Sequence, residues 1–462
     1  MEAWRAVGAS TLLSQTLFGF TDALFLPLSA AIFSTVGIKK TNIGFALAAN
    51  QVVSTVAAPS CAYIADVTGR HRLCFVLSRF GYWCGVAAMA LILDAHNRWT
   101  EQHLFVLVLI TLTWTGAFKS QSMSLQDAAI LELLGPGLKS AYGRIRIFLS
   151  GGRCIGAFVS GIIYQSLDYR GSTFGWLVSA CFLGVVSCMQ QFPNLKAKDT
   201  GAVSSEHTHE EDVADSRTQL VEPLLGGEPA ESRQPHTVAS SEPRHDHRND
   251  CGSREQRTDR ALTEHPIRKL LCQSAFNMLL LVSAMNGVAG ATFDYYVVLF
   301  AKEELKASGL LCGLITTVAT VSNVPAFFYG AVALEKLGNA KMMAISMVVG
   351  VLRCYCYTLL RTPSVAWLVL PVQLLHGVQF SLFWAAGVDL SSKMASPETQ
   401  ATVQGLFFAA YFGVGSTIGL VSGGWLYEHA GYNKLFVVQG AIIAVALLVF
   451  LIELIFKRML QR

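Results

Sequence analysis

The sequence predicts an all-α polytopic membrane protein with twelve transmembrane helices in two pseudo-symmetric six-helix bundles, and three observations predict it. The first is composition. Of 462 residues, 52% are hydrophobic and 14% charged, with a mean hydropathy of +0.44, a balance that a water-facing globular surface cannot carry. The second is distribution, since nearly all the charge falls in breaks between apolar runs of about the 20 residues that cross a bilayer. The third is repetition. Asp66 and Gly69 follow Gly44 by 22 and 25 residues, and Glu335 and Gly338 follow Gly313 by the same 22 and 25, as a duplicated membrane domain would leave.

The apolar windows, numbered here as spans 1 to 12, cover residues 6–35, 42–66, 74–93, 103–127, 142–166 and 172–192, then 270–300, 309–334, 341–360, 364–392, 399–427 and 432–456. They divide the chain into a first bundle over 1–193, a linker over 194–266 and a second bundle over 267–462. Span 1 is too long and too weakly basic at its start for a cleaved signal and carries Asp22 and Pro27, so it reads as a retained helix. Lysine and arginine in short loops set orientation. Arg70, Arg72, Arg79, Lys139, Arg144, Arg146, Lys336, Lys341, Lys393, Lys457 and Arg458 fall on one side, against Lys39, Lys40, Arg98, Arg170, Lys302, Lys306, Arg361 and Lys434 on the other. That bias puts both termini and the linker in the cytoplasm and leaves open whether the membrane is the plasma membrane or an internal one.

The linker is rich in Glu, Asp, His, Arg, Ser and Pro with few aromatics, a composition that cannot bury a core. Its histidines, from His207 to His265, are scattered among charges and read as disordered polar chain rather than a metal site. The eleven cysteines show no paired zinc spacing and read as small apolar filler. No metal or cofactor is expected, and no nucleic acid. The absence of a Walker motif, a nucleophile elbow or a zinc signature argues against ATP-driven transport and against an enzyme.

The repeat reaches further. Asp22 in span 1 is echoed by Asp294 in span 7, Asp127 by Asp389, and Gly156, Gly161 and Tyr164 share the spacing of Gly419, Gly424 and Tyr427. The stretch Ala62-Tyr-Ile-Ala-Asp66-Val-Thr-Gly69-Arg70-His-Arg72 resembles the loop 2–3 signature of the major facilitator superfamily. Gln126-Asp-Ala-Ala, Tyr142-Gly-Arg-Ile-Arg146, Ser150-Gly-Gly152 and Leu374-Leu-His-Gly-Val-Gln-Phe380 resemble its phenylpropionate-permease and nucleoside-symporter-like branch, which includes eukaryotic major facilitator domain-containing proteins. The likeness covers nearly all the chain outside the linker. It departs at Ala62 and Val67, where the signature has glycine and a base, and at Arg153, where the branch prefers an apolar or aromatic residue.

Two sets of functional residues follow. Asp66 at the end of span 2 can cap the positive start of another helix. The resemblance supplies the start of span 11, Ser396-Pro397-Glu398, as that partner and pairs Glu335 with the start of span 5. Asp66, Gly69, Arg70, Arg72, Glu335, Gly338 and Lys341 are thus expected to form a conformational latch, the alternative being a tight hairpin and no more. Gly415, Gly419 and Gly423, with Gly152 and Gly156, give spans 11 and 5 smooth faces, for motion between halves or for static packing.

The second set is the charge that a bilayer makes expensive. Asp22, Lys119, Gln121, Asp294, His376, Gln379 and Trp384 are expected along a substrate and proton pathway, because the resemblance places spans 1, 4, 7 and 10 around a central cavity; Arg153 on span 5 joins them as an intramembrane charge that, with Lys119 and His376, can hold an anionic or hydroxyl-rich solute. A carboxylate there is drawn to its neutral form by desolvation and to its charged form by a nearby cation, so Asp22 or Asp294 suits proton uptake and release, with a fixed salt bridge as the rival role for Asp294. Arg353, Asp127 and Asp389 are expected to be structural ties. The reading is a monomeric secondary transporter in a lipid bilayer, moving a small polar organic solute by rocking-bundle alternating access with proton symport. Its alternative is a non-transporting receptor or scaffold of the same fold.

Overall fold

The computed structural model describes residues 7–138, 142–190, 192, 273–395 and 399–460. The linker and the Ser396–Glu398 segment lie outside these. In chain order the helices are α1 (Ala9–Phe25), a 3-10 turn at Leu26–Leu28, α2 (Ser29–Thr35), α3 (Lys40–Thr68), α4 (His71–Asp94), α5 (Glu101–Leu138), α6 (Tyr142–Cys188), α7 (Ser274–Glu303), α8 (Gly309–Phe328), α9 (Gly330–Leu359), α10 (Val369–Met394), α11 (Gln400–Phe408), a π-helical turn at Ala409–Gly415 and α12 (Ser416–Leu460). Pro27 sits in the 3-10 turn that divides span 1 into α1 and α2, where a missing N–H is tolerated.

Ten stretches among the described residues are long and apolar enough to cross a membrane. Two of them, Ile145–Cys188 with 44 residues and Thr402–Phe456 with 55, are each long enough to cross twice at 1.5 Å per residue. They break where that requires it, at Asp168 (φ 54°, ψ −157°) and at Gly431 (φ 79°, ψ 165°). Ten stretches thus make twelve crossings, and helices of both halves belong to one compact unit.

The repeated glycines of the opening motif have a backbone reason. Gly69 ends α3 in the left-handed region (φ 65°, ψ 8°), and Gly338 breaks α9 at φ 74°, ψ 163°. Any other residue would be strained there, so both hairpins turn on a glycine.

Within the first half α1 packs along α6, and α5 packs against both α3 and α4. In the second half α7 packs along α12, and α10 against α8 and α9. The two main crossings between the halves are α3 on α12 and α6 on α8. Four glycines let the backbones meet there. A Cβ on Gly424 would lie 2.4 Å from the Lys40 carbonyl oxygen and one on Gly44 2.4 Å from that of Leu420. A Cβ on Gly313 would lie 2.5 Å from the Ala157 carbonyl oxygen and 2.6 Å from the Gly161 Cα. Gly44 repeats as Gly313 and Gly161 as Gly424, so the two crossings are the same contact made twice. The glycines expected to serve these faces act elsewhere: Gly152 and Gly156 meet α1 at Thr16 and Phe20, and Gly415 and Gly419 meet α7 at Ala284 and Val288. Spans 5 and 11 do cross between halves, but one to two turns beyond those glycines.

Candidate functional site

Asp22 is buried on α1, one turn before the 3-10 break, and holds two cations. Lys119 Nζ on α5 donates to its Oδ1 at 2.6 Å, and Arg153 Nη2 on α6 lies 3.0 Å from its Oδ2. Arg153, the departure from the family pattern, is therefore part of an acid–base triad with one positive charge in excess. A small cavity beside Asp22 and Lys119 is also lined by Asn50, Tyr82, Thr115 and Trp176. Gln121 does not join them; it accepts from Ser78 Oγ on α4 at 3.3 Å.

The second half builds a different cluster. Arg353 on α9, expected to be a tie away from the cavity, is fully buried and reaches α10. It donates through Nη1 to Gln379 Oε1 at 3.0 Å, through Nη2 to Gln373 Oε1 and through Nε to Tyr357 Oη at 3.3 Å, and its Nη1 lies 3.1 Å from His376 Nδ1. Its Cζ lies 4.0 Å from the Phe293 ring centroid. None of these partners is a carboxylate. From His376 an aromatic ladder climbs α10 at four-residue spacing: His376 stacks on Phe380 at 5.7 Å and Phe380 on Trp384 at 5.8 Å, with Tyr411 and Phe412 of the π-helical turn packed on Trp384. A π-turn of this kind marks functional positions in many helices.

Asp294 stands between the clusters. It is exposed on α7, one residue after Phe293, has no ion pair or hydrogen bond among the described residues, and is within electrostatic reach of both Arg353 and Arg153. Asp22 and Asp294, twins by sequence, thus differ in state: one is saturated with cations and the other is free.

Most of the polar ties between halves gather at one end, apart from a bond from Thr317 Oγ1 on α8 to the Cys154 carbonyl on α6 at 3.4 Å. Lys40 Nζ lies 2.8 Å from Glu303 Oε2, Ser34 Oγ donates to Glu303 Oε1, the Thr41 N–H donates to Glu428 Oε2 at 2.8 Å, and the Leu310 N–H donates to Gln165 Oε1 at 3.0 Å. Lys40 also sits over the Tyr427 ring at 4.5 Å and Lys302 over the Tyr164 ring at 4.9 Å, a lysine–tyrosine pair across each glycine crossing.

At the other end Asp66 is exposed and lies 3.6 Å from His71 Nε2 in its own hairpin. The Arg70 N–H donates to Thr68 Oγ1 and Arg72 to the Cys188 carbonyl, both within the first half. Glu335 and Lys341 are exposed with no ion pair among the described residues. Asp127 pairs with Arg146 at 2.9 Å, and Asp389 with Lys393 at 2.6 Å and Asn339 Nδ2 at 2.7 Å, each inside its own half.

The loop-charge count includes Arg79. It lies within span 3, and the structure buries it on α4 with 3% exposure. Its Nη2 donates to Gln126 Oε1 at 2.6 Å, and the Phe18 and Phe75 rings lie 4.4 and 5.0 Å away. Two such rings supply about 0.5–2 kcal/mol each, against several kcal/mol for burying an ion. The signal was available, since a base inside an apolar window cannot also be a loop residue.

A two-halved, twelve-crossing helical fold with polar clusters in each half and a free carboxylate between them defines a class of multi-pass integral membrane protein. The chain belongs to the family described as "MFS_1 like family", whose model matches residues 16–438. A "Major facilitator superfamily domain-containing protein 6-like" of Danio rerio is 31% identical over 105 residues, 23% of this chain and 18% of that relative. Among solved structures, a point mutant of the nucleoside transporter NupG aligns with TM-score 0.71 and 14% identity over 96% of this chain and 98% of its own. A D-xylose–proton symporter aligns with TM-score 0.66 and 12% identity over 96% of each chain. At these identities the structural matches establish the major facilitator fold.

Proposed function

We propose that the protein is a secondary transporter that moves a small polar organic solute by rocking its two halves, with proton symport. Asp294 carries this reading. A carboxylate inside a membrane protein is expensive unless it is paired or hydrated, and this one faces the space between two arginine clusters without a partner. It can take up and release a proton as access alternates, whereas Asp22, held by Lys119 and Arg153, is the fixed charge of the substrate wall. Coupling thus falls to Asp294, the acid for which the sequence offered a fixed salt bridge as the rival role, while the salt bridge is at Asp22.

The ties at Glu303 and Glu428, and their absence at the Asp66 end among the described residues, support a resting state open on the side of the Asp66 hairpin. Loop charge makes that side cytoplasmic. The excess cation at Arg153, with Gln379 and the aromatic ladder, favours a solute combining an acidic or hydroxyl group with a flat face. Among the structural neighbours, a nucleoside transporter and a D-xylose–proton symporter accord with this class.

The test is uptake by proteoliposomes across organic acids, nucleosides and sugars, with and without an imposed pH gradient. Gradient-driven uptake is expected, and Asp294→Asn should abolish the gradient's effect while retaining exchange. Solute binding without uptake would instead favour a receptor of the same fold. Unchanged gradient-driven uptake in Asp294→Asn would overturn the coupling assignment.

A further inference from the structure

We propose that the first half encloses a binding site for a small inorganic monoanion of the chloride class, against the guanidinium of Arg79. This is independent of the transport reading. The observation is a surplus of donors around a buried charge. Arg79 makes no ion pair among the described residues, its contacts being Gln126 and the two phenylalanine rings. Its Nε and Nη1 are buried without an acceptor. Gln126, which takes the third guanidinium nitrogen, gives its own N–H groups to Ser14 Oγ at 3.0 Å and to Gln190 Oε1 at 3.2 Å. Gln190 Nε2 is again buried without an acceptor, and so is the hydroxyl of Thr11, one turn before Ser14 on α1.

The unmatched atoms of Arg79 and of Gln190, which Gln126 joins, therefore all have a proton to give, and the one formal charge among them is positive. Buried polar groups are almost always matched, and the exceptions call for an unseen partner. Water can accept these hydrogen bonds but leaves the charge uncompensated. The flanking rings of Phe18 and Phe75 compensate it weakly and accept no conventional hydrogen bond. A monoanion accepts the bonds and cancels the charge, whereas a dianion would leave a buried negative charge in its turn. The Asp22 triad differs in that an acid already sits against its two cations and both of these are partly exposed to solvent.

Two measurements on the full-length purified protein test this. Crystals grown in sodium bromide should show an anomalous peak within hydrogen-bonding distance of Arg79 Nε or Nη1. The thermal midpoint should be higher in sodium chloride than in sodium gluconate at equal ionic strength and should saturate with chloride. For a dissociation constant of about 10 mM, ~100 mM chloride favours the folded state about tenfold. In Arg79→Met the chloride dependence should vanish. If that variant does not fold, the bromide map and the wild-type titration decide alone. Equal midpoints in the two salts, chloride dependence that survives in Arg79→Met, or bromide peaks confined to the surface would each overturn the proposal.

Discussion

Replacing Glu303 by Gln should loosen the closed end and shift the protein toward the opposite facing. Glu303 receives both Lys40 and Ser34 of the other half, so one substitution weakens two of the polar ties. The Lys40 and Glu303 side chains are each 26% exposed, which puts the pair between a surface bridge of about 0.2–1 kcal/mol and a hydrogen bond to a charged group of about 1.5–3 kcal/mol. Ser34 keeps an acceptor in the amide oxygen, though a weaker one. The combined loss is about 1–3 kcal/mol, or roughly 5- to 150-fold in the ratio of the two facings.

Spin labels at Asn97 and Lys434, exposed on opposite halves at this end, would read it by pulsed electron resonance. The parent should give one short-distance population and Glu303→Gln an added longer one. Asp66→Asn, at the untied end, should leave this distance unchanged. An unaltered distribution in Glu303→Gln, with unaltered uptake, would refute the claim that these contacts hold the resting state.

Other outcomes follow from the same contacts. Asp22→Asn strips the acid from two cations and should lower stability by up to about 3–5 kcal/mol, less because Lys119 and Arg153 are partly exposed; a thermal melt should show the loss, and Lys119→Met added to it should restore part. Gly313→Ala forces a Cβ to within 2.5 Å of the Ala157 carbonyl oxygen, so the α6–α8 crossing should open at a cost of about 1–3 kcal/mol, with less folded protein in detergent and slower uptake. Arg353→Lys keeps the charge but cannot reproduce a fork that spans Gln373, Gln379 and Tyr357; each buried partner left unmatched costs about 1–3 kcal/mol, so the melting temperature should fall, and solute affinity with it.

The sequence and the structure divide the account in a regular way. Twelve crossings were legible because length and apolarity are local, and so were the hairpins at Gly69 and Gly338, because a turn of positive φ needs glycine. The candidate charges were legible too, since any ion inside an apolar window stands out. Their partners were not. Asp22 and Asp294 occupy equivalent places in the repeat, yet only the approach of α5 and α6 gives Asp22 its lysine and arginine, while no described helix brings a cation into contact with Asp294. Arg353 reads from the sequence only as a structural tie, because the reach of its side chain to Gln373, His376 and Gln379 depends on where α10 packs.

The glycines make the same point. Regular four-residue spacing drew attention to Gly152, Gly156, Gly415 and Gly419, which serve contacts inside each half. The crossings between halves rest on Gly44, Gly161, Gly313 and Gly424, which no local period singles out. Their common feature is that each is repeated in the other half. Composition and periodicity by themselves determined that this chain crosses a membrane as a duplicated helical bundle, because bilayer burial is decided residue by residue along the chain. Which charges are paired, which acid is free and which end is tied shut were decided only by the tertiary structure, because each depends on side chains brought together from helices far apart in the sequence.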